Sequence, residues 1–130
     1  MAITVERLDH LVLTVASIEK TVAFYETVMG MAAIRFGADQ SRVALRFGDQ
    51  KINLHEVGRE FEPKAVRPTA GSGDLCFIVR DFDAAAGHLA ELGVDIIDQG
   101  ARSGALGEIR SIYFRDPDGN LIEVSSYDHG

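Results

Sequence analysis

Apolar residues along the chain switch between strand-like and helix-like spacing, and the switch occurs in the same order twice. Residues 8–15, LDHLVLTV, are apolar and β-branched enough for a strand. Ser17 then stands as an N-cap before Ile18, Val22, Tyr25 and Val28, which recur at helical spacing until Gly30 ends the helix. Three short strand-like runs follow, at 32–36, 42–47 and 51–57. The second series starts with DLCFIV at 74–79, takes Asp81 as N-cap, and carries Phe82, Ala85, Leu89 and Leu92 as a buried stripe stopped by Gly93. Runs at 95–99, 109–115 and 120–126 complete it, so each half predicts βαβββ.

The halves can be laid over one another. An offset of 64 pairs His10 with Asp74, Val15 with Val79 and Ser17 with Asp81. Further on it becomes 67, for Phe47 with Phe114 and Asp49 with Asp116, and then 70, for Ile52 with Ile122 and Asn53 with Glu123. The stretch 58–73 holds two of the three prolines and three glycines, which marks a connection that could also serve as a lid. The expected organisation is one α+β domain: repeat one at 5–57, a linker at 58–71 and repeat two at 72–127. Two such units would pair about a pseudo-twofold axis and form a curved eight-stranded sheet. Positions 10, 53, 74 and 123 would then face one interior.

At 130 residues with 46% hydrophobic and 25% charged, the chain has the composition of one ordinary globular domain. A net charge of -7 and no basic cluster argue against nucleic acid as a partner. No run approaches the roughly 18 apolar residues that span a bilayer, and no signal-peptide pattern opens the chain, so the expectation is a cytoplasmic protein with no membrane partner. The single cysteine, Cys76, excludes an internal disulfide and reads as a buried small hydrophobe in LCFIV. There is no GxSxG elbow, Walker loop or GxGxxG, which leaves serine hydrolases and nucleotide enzymes without support.

LDHLVLTV, the FYETVMGM helix end and YFRDPDGNLIEVSSY together resemble the vicinal-oxygen-chelate superfamily, which includes glyoxalase I, extradiol dioxygenases, fosfomycin-resistance proteins and bleomycin-binding proteins. The resemblance covers essentially the whole chain. Within it, FGDQKINLHEVGREFEPKA at 47–65 is similar to glyoxalase-domain-containing proteins that carry a virulence-protein label. The resemblance implies metal ligands at His10, on the first strand, and at Glu123, on the last.

Glu123 carries its own physical argument, because an unpaired carboxylate inside NLIEVSS must find a cation, water or a proton. Asp74 stands where the superfamily's metal enzymes often have histidine, and as a ligand it would favour harder cations; after GSG it reads equally as a turn residue. Asn53 replaces the glutamate expected from glyoxalase I and is a weaker, neutral ligand. His55, two residues on and on the same strand face, is a substitute ligand or general base, or else a half-buried strand histidine. DPDGN at 116–120 is a turn, His88 lies off the helical stripe and faces solvent, and His129 is terminal.

The expected function follows from this set. A divalent ion (Mn, Fe, Mg, Zn or Ni) held by His10, Glu123 and either Asp74 or His55 would chelate vicinal oxygens of a small-molecule substrate, in a lyase or dioxygenase-like enzyme. The alternative is a metal-free small-ligand or antibiotic-binding protein, as in bleomycin resistance. Open sheet edges and helix flanks suggest a homodimer, in line with the resemblance.

Overall fold

The computed structural model describes residues 2–127; His129 lies outside them. The order is β1 (His10–Val15), α1 (Ile18–Met29), β2 (Ala32–Phe36), β3 (Arg42–Phe47), β4 (Gln50–Glu56), β5 (Asp74–Ile78), α2 (Phe82–Glu91), β6 (Asp98–Gly104), β7 (Gly107–Arg115) and β8 (Leu121–Ser126). The fold is α+β: eight strands in two four-stranded mixed sheets, ordered β1-β4-β3-β2 and β5-β8-β7-β6. Contacts divide the chain into two units, 1–69 and 70–130.

Local chemistry explains the helix limits. Ser17 and Asp81 have extended backbones, and their side chains accept from the backbone N–H of Lys20 and Ala84. Each satisfies a donor that the helix itself cannot. Gly30 ends α1 in the left-handed conformation, with φ 66°.

Strand alternation then sorts each sheet into two faces. In unit 1, Leu13, Val15, Val43, Leu45, Ile52 and Leu54 are buried on one face, and α1 supplies the fully buried Tyr25. Burying each such side chain contributes about 1.5–3 kcal/mol. In unit 2, Ile112, Phe114, Ile122, Val124 and the α2 residue Leu89 form the corresponding core.

The hydrogen-bond registers show how the repeats correspond. His10 pairs with Lys51 and Val12 with Asn53 in unit 1; Asp74 pairs with Leu121 and Cys76 with Glu123 in unit 2. These pairs keep the offsets of 64 and 70. The third strand differs from expectation: Ala44 opposes Asn53 where Tyr113 opposes Glu123, so β3 and β7 correspond at 69 rather than 67. The two-residue difference preserves the face; four residues separate Arg46 from Lys51, and five separate Arg115 from Leu121 in the β7–β8 turn. In that turn Asp116 accepts from the N–H groups of Asp118 and Asn120 and from the Asn120 amide. The Asn120 Oδ1 in turn accepts from the Gly73 N–H at the start of β5, at 2.7 Å.

β6 departs from the sequence pattern. It runs through DQGARSG rather than the apolar residues before it, because pairing with β7 from Asp98↔Tyr113 to Gly104↔Gly107 defines it. Tertiary pairing outweighs residue preference on such an exposed edge.

Candidate functional site

Away from the helices, each sheet carries a polar face. In unit 2 the registers bring Asp74, Cys76, Ser111, Tyr113, Glu123 and Ser125 onto it. Asp74 and Glu123 are diagonal neighbours there, at a separation of about 7–8 Å between backbones. Cys76 is exposed, contrary to the expectation of burial, because Leu75 and Phe77 take the core side of β5 and the thiol alternates away from them.

Glu123 is surrounded by neutral donors. Ser111 Oγ donates to its Oε2 at 2.5 Å, Ser125 Oγ lies 3.3 Å from the same oxygen, and the Tyr113 phenol also bonds to it. Among the described residues no cation is ion-paired with it. Of the guanidiniums that the registers bring to this face, Arg102 pairs with Asp98 at 2.9 Å and stacks over Tyr113, and Arg115 donates to the Gly119 carbonyl.

Proton counting gives the network a direction. Each hydroxyl has one proton, Ser111 gives its own to Glu123, and Ser111 and Ser125 are 2.7 Å apart. The single Ser125 proton is therefore shared between Ser111 and Glu123 Oε2, and Ser125 accepts from the Cys76 thiol at 3.3 Å. Partial covering of the sulfur by its strand neighbours first, with the Glu123 charge adding to it, pushes the Cys76 thiol above its ordinary value although the residue as a whole is exposed; burial and the bond to Glu123 do the same for Tyr113.

In unit 1, His10 opens β1 with its side chain 43% exposed, and its Nδ1 lies 2.8 Å from the Asp9 carboxylate. The hydrogen bond to His10 holds Asp9 below the usual carboxylate range. A carboxylate only accepts, so Nδ1 donates and the Nε2 lone pair of the neutral ring is left for a ligand. Metal-binding histidines are commonly oriented by such a carboxylate.

Asn53 and His55 share this face with His10, but His55 aligns with Thr14, four residues along β1. That is roughly 13 Å of strand, too far for His10 and His55 to ligate one ion. His55 is 3% exposed, and its Nε2 lies 3.3 Å from Arg42 Nη2. A guanidinium only donates, so the His55 lone pair is already used and its proton sits on Nδ1. Burial first, then the charge of Arg42, lowers the His55 pKa. The sequence offered His55 as a ligand or base, and the structure makes it a neutral partner of a cation. Asn53 is 5% exposed, with its Oδ1 unpartnered among the described residues. His88 is exposed on α2. Within neither unit do three or more His, Cys, Asp and Glu of the described residues group as a metal centre.

Sequence reasoning missed Asp9, Arg42, Ser111, Ser125 and Tyr113. Asp9 and Ser125 had a local signal, adjacency to His10 and same-face spacing from Glu123 on one strand; Ser111, Tyr113 and Arg42 depend on register across strands.

Over 125 residues, 95% of this chain and 85% of the relative, the sequence is 54% identical to "Virulence protein STM3117" of Salmonella typhimurium. The crystal structure of that protein superposes with a TM-score of 0.93, covering 97% of this chain and all of the other at 52% identity. "Glyoxalase domain-containing protein RDO1" of Mycosarcoma maydis is 54% identical over 127 residues, 96% of this chain and 70% of its own. "Metallothiol transferase FosB" of Shouchella clausii is 29% identical over 120 residues, 92% of this chain and 80% of the other. With the model of the Glyoxalase/Bleomycin resistance protein/Dioxygenase superfamily matching residues 7–124, the doubled βαβββ order finds its family, and the chain belongs to that superfamily.

Proposed function

We propose that the chain is a glyoxalase or dioxygenase-like enzyme acting on a small molecule, with a divalent ion that chelates neighbouring oxygens of the substrate. His10 and Glu123 supply ligands in this reading, and Asp74, diagonal to Glu123, is the next candidate. The observation that carries it is the Glu123 environment: hydroxyls, a phenol and a thiol surround a carboxylate that has no cationic partner among the described residues. The donor set fits a metal, because the imidazole of His10 has its Nδ1–H fixed by Asp9 and its Nε2 free to ligate. The name of the FosB relative, a metallothiol transferase, supports the same chemistry.

When bound, such an ion supplies Lewis-acid stabilisation of a developing oxyanion. The chain's own residues do the positioning. Ser111 holds Glu123 Oε2, so that the other carboxylate oxygen is presented, and Asp9 fixes the tautomer of His10. A metal-free binding role is the second reading, favoured by the neutral amide of Asn53 at a position where the resemblance expects a carboxylate.

Metal analysis of protein purified without chelator decides between them. Near-stoichiometric metal in the wild type, lost in His10→Ala and in Glu123→Gln, supports the enzyme. Equal metal contents in all three proteins, or failure of manganese, ferrous iron and zinc to bind any of them, overturns it in favour of the binder.

A further inference from the structure

Residues 58–69 belong to unit 1 and fold against its polar face. Phe61 meets His55 edge-on, with ring centroids 5.6 Å apart, and lies under the Arg42 guanidinium at 4.6 Å. Beside them a cavity of about 390 Å³ opens between β1, β4 and this segment, lined by Val12, Thr14, His55, Pro63, Lys64 and Pro68 among others. Its volume is within the range of small-molecule sites.

The wall has a consistent chemistry. Val12 and the two prolines are apolar, and the polar residues are donors: the Thr14 hydroxyl, the His55 ring and the Lys64 ammonium. Because Arg42 occupies the His55 lone pair, that ring offers only N–H to a further partner. Among the described residues no carboxylate lines the cavity. Glu60 is turned to the Gly58 N–H, and Glu62, with its side chain 72% exposed, pairs with Lys64 at 3.1 Å. A surface pair of that kind is weak enough to exchange for a better anion. Arg42 also has no carboxylate partner among the described residues; its guanidinium stacks on Phe36 and Phe61.

We propose that this cavity binds the oxyanion head, carboxylate or phosphonate, of a small and otherwise apolar molecule, with Thr14, His55 and Lys64 as donors. Val12 lies two residues from His10 on the same face of β1. The inference therefore names the substrate class for the reaction proposed above and rests on that reading for its catalytic meaning, while the binding itself needs no metal.

The test is calorimetric titration of chelator-treated protein with benzoate, phenylphosphonate and neutral benzyl alcohol, together with amide NMR shifts. At least one anion is expected to bind at least about tenfold more tightly than benzyl alcohol, with shifts centred on Thr14, His55 and Lys64. The tighter of the two anions identifies the head group. Lys64→Gln, at a half-exposed position that tolerates change, should weaken the anion about tenfold, and the near-isosteric Thr14→Val should weaken it as well. Metal lost in His10→Ala with anion binding retained leaves the cavity assignment standing, and intact metal binding without anion binding sinks it alone. Benzyl alcohol binding as well as both anions, or both variants binding like wild type, overturns the proposal.

Discussion

The Cys76 thiol and the Glu123 carboxylate sit opposite each other on β5 and β8, and their neighbours set the reactivity of both. A thiol kept protonated is a poor nucleophile even when exposed. Cys76 should therefore react with iodoacetamide at neutral pH more slowly than free cysteine, and Glu123→Gln should accelerate it by removing a charge that raises its pKa. An unchanged rate in the variant would dissociate the two groups. His55 gives a pH signature of the opposite kind. Its pKa is lowered in the fold by burial and by Arg42 and Lys64, against the opposing charge of Glu60. The unfolded chain then binds the proton more readily than the folded one, so the contribution of His55 to stability is full above the ordinary histidine value and lost as the pH falls below it. Urea unfolding between pH 8 and pH 5 should show a steeper decline for wild type than for His55→Gln; parallel curves would mean that His55 does not titrate differently in the fold.

At the scale of elements, single side chains close turns and caps. Asp116 is 6% exposed and accepts three hydrogen bonds within the β7–β8 turn. Asp116→Ala should cost about 2–4 kcal/mol, well above the ~1 kcal/mol expected for the cap substitution Ser17→Ala, as read by denaturant midpoints. Both features were legible in the sequence, because capping and turn chemistry are local. β2 and β3 likewise occupy the runs that alternation marks. β6 was not legible, since an edge strand of glycine and polar residues is defined by its neighbour. The candidate site divides in the same way. His10 and Glu123 stand out along the chain, whereas Ser111 and Tyr113 beside Glu123 and the guanidinium on His55 are brought in by cross-strand register, and Cys76 was misread because an apolar run conceals which face each residue takes.

For the whole molecule, the unanswered edges are those of the two sheets. β1 and β5 each end a sheet, and each carries an exposed apolar residue on its polar face, Val12 at 44% and Ile78 at 55%. Such edges are commonly covered by a twofold partner. We expect a homodimer, and light scattering at micromolar concentration should return twice the chain mass of 14.1 kDa. A mass of one chain would remove that expectation.

The matched registers of the two halves also bear on how such a protein changes over time. One ladder accepts His10 or Asp74, Val12 or Cys76, and Asn53 or Glu123 at equivalent rungs, because main-chain bonds hold the strands and the polar-face side chains are free to differ. Each rung is thus an exchange that the backbone has already survived. A side chain exchanged for its counterpart on the other half, Asn53 for Glu or Asp74 for His, would therefore change the donors and ligands on the polar face while leaving the main-chain ladder as it is.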